Sequence, residues 1–144
     1  MKLYEFGPNL YVSRWVGRHP EEDLAALEDA AIDAIFCLCK KQTDVRAVPQ
    51  GVGLVYHPIP DKRVGIPPLD DLRVIVSDVL ARLAEREVVL VHCIEGRNRS
   101  VLAAALVERK RNGWTGLQAW EHATIIRPHS LNNTAFADWL RELP

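Results

Sequence analysis

The chain has 144 residues, 48% of them hydrophobic, which suits one domain with a sizeable core. Its 18 basic and 19 acidic residues leave a formal net charge of −1, so no global field draws it to nucleic acid or to a membrane surface. No apolar run approaches the roughly 18 residues of a transmembrane helix, and Met1–Pro8 has no signal-peptide core.

Gly7-Pro8-Asn9 is a turn signal, after which Leu10–Ser13 reads as a first short strand. His19-Pro20 followed by Glu21, Glu22 and Asp23 is a helix start, with proline in the first turn and acids at the positive end. Leu24, Leu27 and Ala31 give that helix its apolar stripe. Ala34–Cys39 is a second strand, apolar on both faces, with Cys37 and Cys39 on the same side. Leu54–Pro60 is a third strand, ending at its prolines. The loop 61–68 leads to an amphipathic helix carrying Leu69, Leu72, Val76, Val79, Leu80 and Leu83. Its early acids, Asp70 and Asp71, suit a cap or a dipole partner. The apolar run Val88–Val91 is a further strand, and Val101–Val107 a buried helix. Thr115-Gly116-Leu117-Gln118 is a capping box opening a helix through about Ala123. Phe136, Trp139, Leu140 and Leu143 mark a closing amphipathic helix. Strands alternating with helices predict an α/β fold over residues 1–144. It is a single domain with a central, mostly parallel sheet of four to five strands, flanked by helices on both faces.

The chain is organised around His92-Cys93-Ile94-Glu95-Gly96-Arg97-Asn98-Arg99-Ser100, between that further strand and the buried helix. A helix start offers unpaired N–H groups and the positive end of a dipole, so it invites an anion. A thiol placed there ionises more readily than an ordinary one, and the thiolate is the nucleophilic form. Arg99 can grip two oxygens of a phosphate in a planar fork. A Walker-type loop is excluded, since no Gly-Lys-Ser/Thr closes the stretch.

His92-Cys93, five intervening residues and Arg99-Ser100 resemble the signature of the cysteine-based protein tyrosine phosphatases, and within them of the small dual-specificity phosphatases, whose loops often carry glycine at the position of Gly96. The resemblance implies one phosphatase catalytic domain in which Cys93 attacks phosphorus. It further implies that the amides of Ile94, Glu95, Gly96, Arg97, Asn98 and Arg99 bind the phosphate oxygens, that Arg99 clamps the transition state and that Ser100 assists release of the thiolate. His92 would orient the loop and help keep the sulfur ionised. The resemblance is strong at this loop and weak beyond Gly113. Arg127-Pro128 looks like a late feature of several relatives, whereas Asn132-Asn133 matches nothing clearly.

In open α/β sheets ligands bind beyond the carboxyl ends of the strands. That edge should collect Lys40-Lys41, Asp61-Lys62-Arg63 and the Cys93 loop. A departing alkoxide or phenoxide needs a proton, and Asp61 is the candidate acid, set in an Ile-Pro-Asp segment that resembles the general-acid loop of dual-specificity phosphatases. Asp44 is a weaker rival.

These readings predict a phosphomonoester hydrolase with no metal and no cofactor, acting on phosphorylated protein (tyrosine and serine/threonine) or another phosphomonoester. Nucleic acid is not expected as a partner, and oligomeric state is left open. Arg97 at the pocket mouth keeps a phosphoinositide substrate in view. Asn98-Arg99 is shared with RNA 5′-triphosphatases of the same superfamily, a reading that Asp61 argues against. A rhodanese-like enzyme or a non-catalytic phosphate-binding module are further alternatives. Three cysteines, an odd number, do not form a disulfide framework and suit a reducing cytoplasm. Cys37 and Cys39 are expected to pack in the core. A sharper expectation is that one of them forms a reversible disulfide with Cys93 under oxidation.

Overall fold

Two short runs dominate the structure, Ala34-Ile35-Phe36-Cys37 and Val89-Leu90-Val91-His92, and every residue of both is buried. Strands so continuously covered belong inside a parallel sheet. In the computed structural model, which describes residues 1–144, they are β3 (Ala34–Cys37) and β5 (Val89–His92). They pair in parallel, β2 (Leu10–Ser13) flanks β5 and β4 (Gly53–Tyr56) flanks β3, both also parallel. β1 (Tyr4–Gly7) completes the five-stranded order β1-β2-β5-β3-β4 and is the one antiparallel member.

Alternation along the strands divides the core. Ala34, Phe36, Val89 and Val91 face the larger side, packed by α2 (Leu69–Ala84), α3 (Arg99–Asn112), α4 (Gly116–Ile126) and α5 (Thr134–Arg141). Ile35 and Leu90 face the smaller side with Leu27 of α1 (Pro20–Asp29) and Ala47 of a 3-10 turn. Helices therefore cover both faces, as expected. Pro20 opens α1, and the Thr115–Gln118 capping box opens α4, which runs three residues beyond Ala123 to Ile126.

Several expectations need correction. β1 gives no alternating pattern, since Phe6 alone of its residues is buried. It exists because Asn9, at φ 63, turns the chain back onto β2. β3 stops at Cys37 and β4 at Tyr56, short of Cys39 and Pro60. The amides of His57 and Ile59 still bond to Cys37 and Leu38, but Pro58 and Pro60 have no N–H to continue the ladder. Ala31 is exposed at φ 55, past the end of α1, and Ile32 fills the core in its place. Leu143 lies beyond the end of α5.

Asp23 does more than favour a helix dipole. It is fully buried and accepts from Arg14 Nη1 and Nη2 at 3.1 and 3.0 Å and from the Gly17 N–H at 2.9 Å. Burial pushes its carboxyl up, but the Arg14 and Gly17 hydrogen bonds prevail and hold it below its ordinary 3.8. A depressed folded value means that this stabilisation is complete above 3.8 and is lost as pH falls through the folded value. Asp23→Asn, which strands Arg14, should cost about 3–5 kcal/mol near neutral pH. Denaturant titrations of both proteins should show the gap narrowing in acid.

Candidate active site

The C-terminal ends of β2, β3, β4 and β5 open on one edge, and the loop after β5 is held there by its carbonyls. Ile94 O accepts from the Trp15 amide at 2.8 Å and Arg97 O from the Leu131 amide at 2.7 Å. Glu95 O and Gly96 O accept from Arg127 Nη2 and Nε, each at 3.2 Å. In a trans peptide the next residue's N–H points opposite to the carbonyl. Anchoring four consecutive carbonyls to the scaffold therefore turns the amides of Glu95, Gly96, Arg97 and Asn98 the other way. No protein acceptor takes those N–H groups. Asn98 does not cap α3 with its side chain, so the first-turn amides of that helix are also left for a ligand. Gly96 is required twice over. Its φ is +67, and a Cβ there would meet the Ser13 carbonyl carbon and oxygen at 2.5 Å.

A cavity of about 350 Å³ sits over this loop, with Cys93, Arg99 and Arg97 among its lining. Cys93 lines the cavity although it is only 3% exposed. Its Sγ lies 3.2 Å from Ser100 Oγ. Arg99 gives one Nη1 bond, 3.3 Å, to Ile59 O, while its buried Nε has no protein acceptor. That leaves donors of a positive fork beside the thiol, as phosphate recognition requires. His92 is fully buried, with Nδ1 3.3 Å from Cys93 O and Nε2 2.7 Å from Thr43 Oγ1. A carbonyl only accepts, so Nδ1 carries the proton and the ring braces the loop from beneath.

Asp61 lines the same cavity, on the wall formed by the segment after β4. Its Oδ1 accepts from Asn133 Nδ2 at 2.7 Å and its Oδ2 from Arg63 Nη2 at 3.0 Å. Asn133, unassigned by the sequence, is fully buried and joins three elements. Its side chain also donates to Lys62 O and caps Phe136 N of α5, while its backbone N–H reaches Asn98 Oδ1. Asn98 in turn donates to Asn132 at 2.7 Å. An asparagine just before an amphipathic run is a capping signal, but nothing local announces its second partner, Asp61. Arg127 is the other residue whose work was not legible, because it acts across 31 residues on Gly96. Lys40, Lys41 and Lys62 do not line the cavity; the Lys41 ammonium lies 3.7 Å from the Trp15 ring centroid. Asp44 caps the 3-10 turn and pairs with Arg46, and Asp71 pairs with His57, so neither rivals Asp61.

The family described as "Polymorphic toxin system, DSP-PTPase phosphatase" matches residues 13–111, most of the sheet and the whole Cys93 loop. The chain belongs to this family. It is a cysteine-based phosphatase, which sets aside the sulfur-transfer and non-catalytic readings. Among solved structures it is similar to Tk-PTP in its active form, at 20% identity and TM-score 0.79 over 97% of this chain and 96% of that one. Human DUSP28 is similar at 20% identity and TM-score 0.78, over 96% and 90%. DUSP15 is similar at 18% identity and TM-score 0.80, over 97% and 85%. At those identities the structures share the fold. No curated protein sequence matches the chain.

In this phosphatase Cys37 and Cys39 do lie side by side, Sγ to Sγ 3.7 Å, packed in one cluster with Cys93. With His92 they bring three metal-ligating atoms within 4.8 Å of one another. The two sulfurs are also satisfied without an ion, at 3.2 and 3.3 Å from Lys41 O. The hydrogen bond between them lowers the Cys37 thiol and raises that of Cys39. All three cysteines are free.

Gly96→Ala tests the anchored loop. The positive φ alone costs about 1–2 kcal/mol, and the added methyl must displace the backbone at Ser13. Calorimetry should show loss of inorganic phosphate binding, and unfolding curves a fall in stability of at least that size.

Proposed function

We propose that this phosphatase hydrolyses phosphomonoesters in two steps through a cysteinyl-phosphate on Cys93, with proteins phosphorylated on tyrosine and serine or threonine as the primary substrate class. The observation that carries the reading is the single cavity in which Cys93, Arg99 and Asp61 meet over a loop with unclaimed amides. In the first step the Cys93 thiolate attacks phosphorus in line with the leaving oxygen. Amides from Ile94 to Arg99 and the Arg99 fork stabilise the equatorial oxygens, and Asp61 donates a proton to the departing oxygen. In the second step the Asp61 carboxylate takes a proton from water, which attacks phosphorus from the opposite side and expels the sulfur. Ser100 Oγ, 3.2 Å from that sulfur, stabilises it as it leaves. His92 positions the loop through the Cys93 carbonyl. Charge is neutralised by the guanidinium and the amides, so no step calls on a metal ion.

Residues 1–144 act as one catalytic domain in this reading, because Asn133 and Arg127 from the last quarter hold Asp61 and the loop. A free thiol nucleophile beside two further thiols suits a reducing cytoplasm.

Cys93→Ser should abolish hydrolysis of an aryl phosphate while retaining phosphate binding; normal turnover would remove Cys93 as the nucleophile. Asp61→Asn should slow turnover by about 10²-fold or more for poor leaving groups and much less for good ones. Equal losses across a leaving-group series would assign the proton to another residue. Asn133→Ala should cost about 1–2 kcal/mol through the lost cap and reproduce the leaving-group dependence in weaker form. EDTA should leave the rate unchanged.

A further inference from the structure

A second cavity of about 310 Å³ adjoins the catalytic one, and the two share Glu95 and Arg97 in their walls. Lys2, Arg14, Arg18 and Arg127 supply the rest of its charge, so five cations face one carboxylate. Such a concentration stands out in a chain whose formal net charge is −1. Arg14 is paired, with Asp23. Lys2, Arg18, Arg97 and Arg127 take part in none of the ion pairs of the fold, nor does Glu95. Arg97 Nε is buried with no acceptor, an uncommon state for a guanidinium nitrogen. Arg127 spends its nitrogens on two carbonyls and the Tyr4 hydroxyl, all neutral, so its charge remains uncompensated.

We propose that this cavity is a second phosphate subsite, which adds to the phosphoprotein substrates a class of small organic molecules carrying a further phosphate close to the scissile one, either free or as a lipid headgroup, that react in preference to their monophosphates. The proposal rests on phosphoryl transfer taking place at Cys93. The two cavities share Glu95 and Arg97 in their walls, so an anion in one lies across a single loop segment from an anion in the other. That arrangement fits two phosphates on one compact scaffold. A doubly phosphorylated peptide would need a surface for its intervening side chains, and the lining offers one aromatic ring, Tyr4. That ring is already engaged by Lys2 Nζ at 5.0 Å and the Arg127 guanidinium at 4.4 Å.

Lys2 and Arg18 are exposed and make no hydrogen bond to the catalytic loop, so Lys2→Ala/Arg18→Ala isolates the subsite. Steady-state rates would be compared for p-nitrophenyl phosphate, a myo-inositol monophosphate, the vicinal myo-inositol bisphosphate, phosphatidylcholine vesicles carrying the corresponding phosphoinositide, and a doubly phosphorylated peptide. The wild-type protein should favour the bisphosphate over the monophosphate by about tenfold or more in kcat/KM, mainly through KM. The double variant should lose that gain and keep its p-nitrophenyl phosphate rate. Comparing the soluble and vesicle substrates identifies the source of the ligand. The proposal is overturned if mono- and bisphosphate react alike, if the gain survives in the double variant, or if only the peptide benefits. Failure to hydrolyse p-nitrophenyl phosphate would instead sink the Cys93 reading. The subsite would then be judged by calorimetry, where equal bisphosphate binding to wild type and double variant would refute it.

Discussion

The structure depends on four carbonyl oxygens being held. Ile94, Glu95, Gly96 and Arg97 each give their carbonyl to a donor on the surrounding scaffold, namely Trp15, Arg127 twice, and Leu131. Peptide planarity converts that outward anchoring into a row of N–H groups without protein acceptors. Lining a cavity beside a guanidinium, such a row makes sense as the receptor for an anion. The nucleophile, the guanidinium and the hydroxyl are then placed by their position along the same short loop.

Anchors come from far along the chain, which is why the whole fold is needed for a site nine residues long. β5 delivers Cys93 to the sheet edge, and β2 brings Ser13 so close behind the loop that glycine alone fits at position 96. Arg127 reaches back from the end of α4 to two carbonyls and to Tyr4 of β1. Asn133 ties the cap of α5 to the segment carrying Asp61 and, through Asn98, to the loop. Acid wall and anion cradle are thus fastened to the same residue. Asn133 lies outside the cavity lining, yet a side-chain substitution there removes the bond to Asp61 while leaving the backbone bond to Asn98 in place.

Much of this was legible from local chemistry. β3 and β5 announce themselves as apolar runs, α2 and α5 by their spacing, and α4 by its capping box. The catalytic loop was legible because strand, cysteine, arginine, hydroxyl and helix stand in register within one stretch. What escaped was non-local. β1 has a single buried side chain and is defined by its partner. Asp23 advertises a helix start, and nothing nearby reveals that Arg14 will share its burial. Arg127 and Asn133 act on residues 31 and 72 positions away, and pairing at such range leaves no periodic trace. Lys40 and Lys41 show the converse error: proximity to the right edge of the sheet did not place them in the site.

The central claim concerns the direction of the loop amides, and amide chemical shifts report it directly. Inorganic phosphate would be titrated into the Cys93→Ser protein, and backbone amide resonances followed by NMR. Hydrogen bonding to an anion should move the Glu95, Gly96, Arg97 and Asn98 amide protons downfield together, along one binding curve shared with the Arg99 side-chain resonances. If those four amides stay in place while phosphate binds, or the shifts gather elsewhere on the molecule, the cradle does not exist and this account of the phosphatase is wrong.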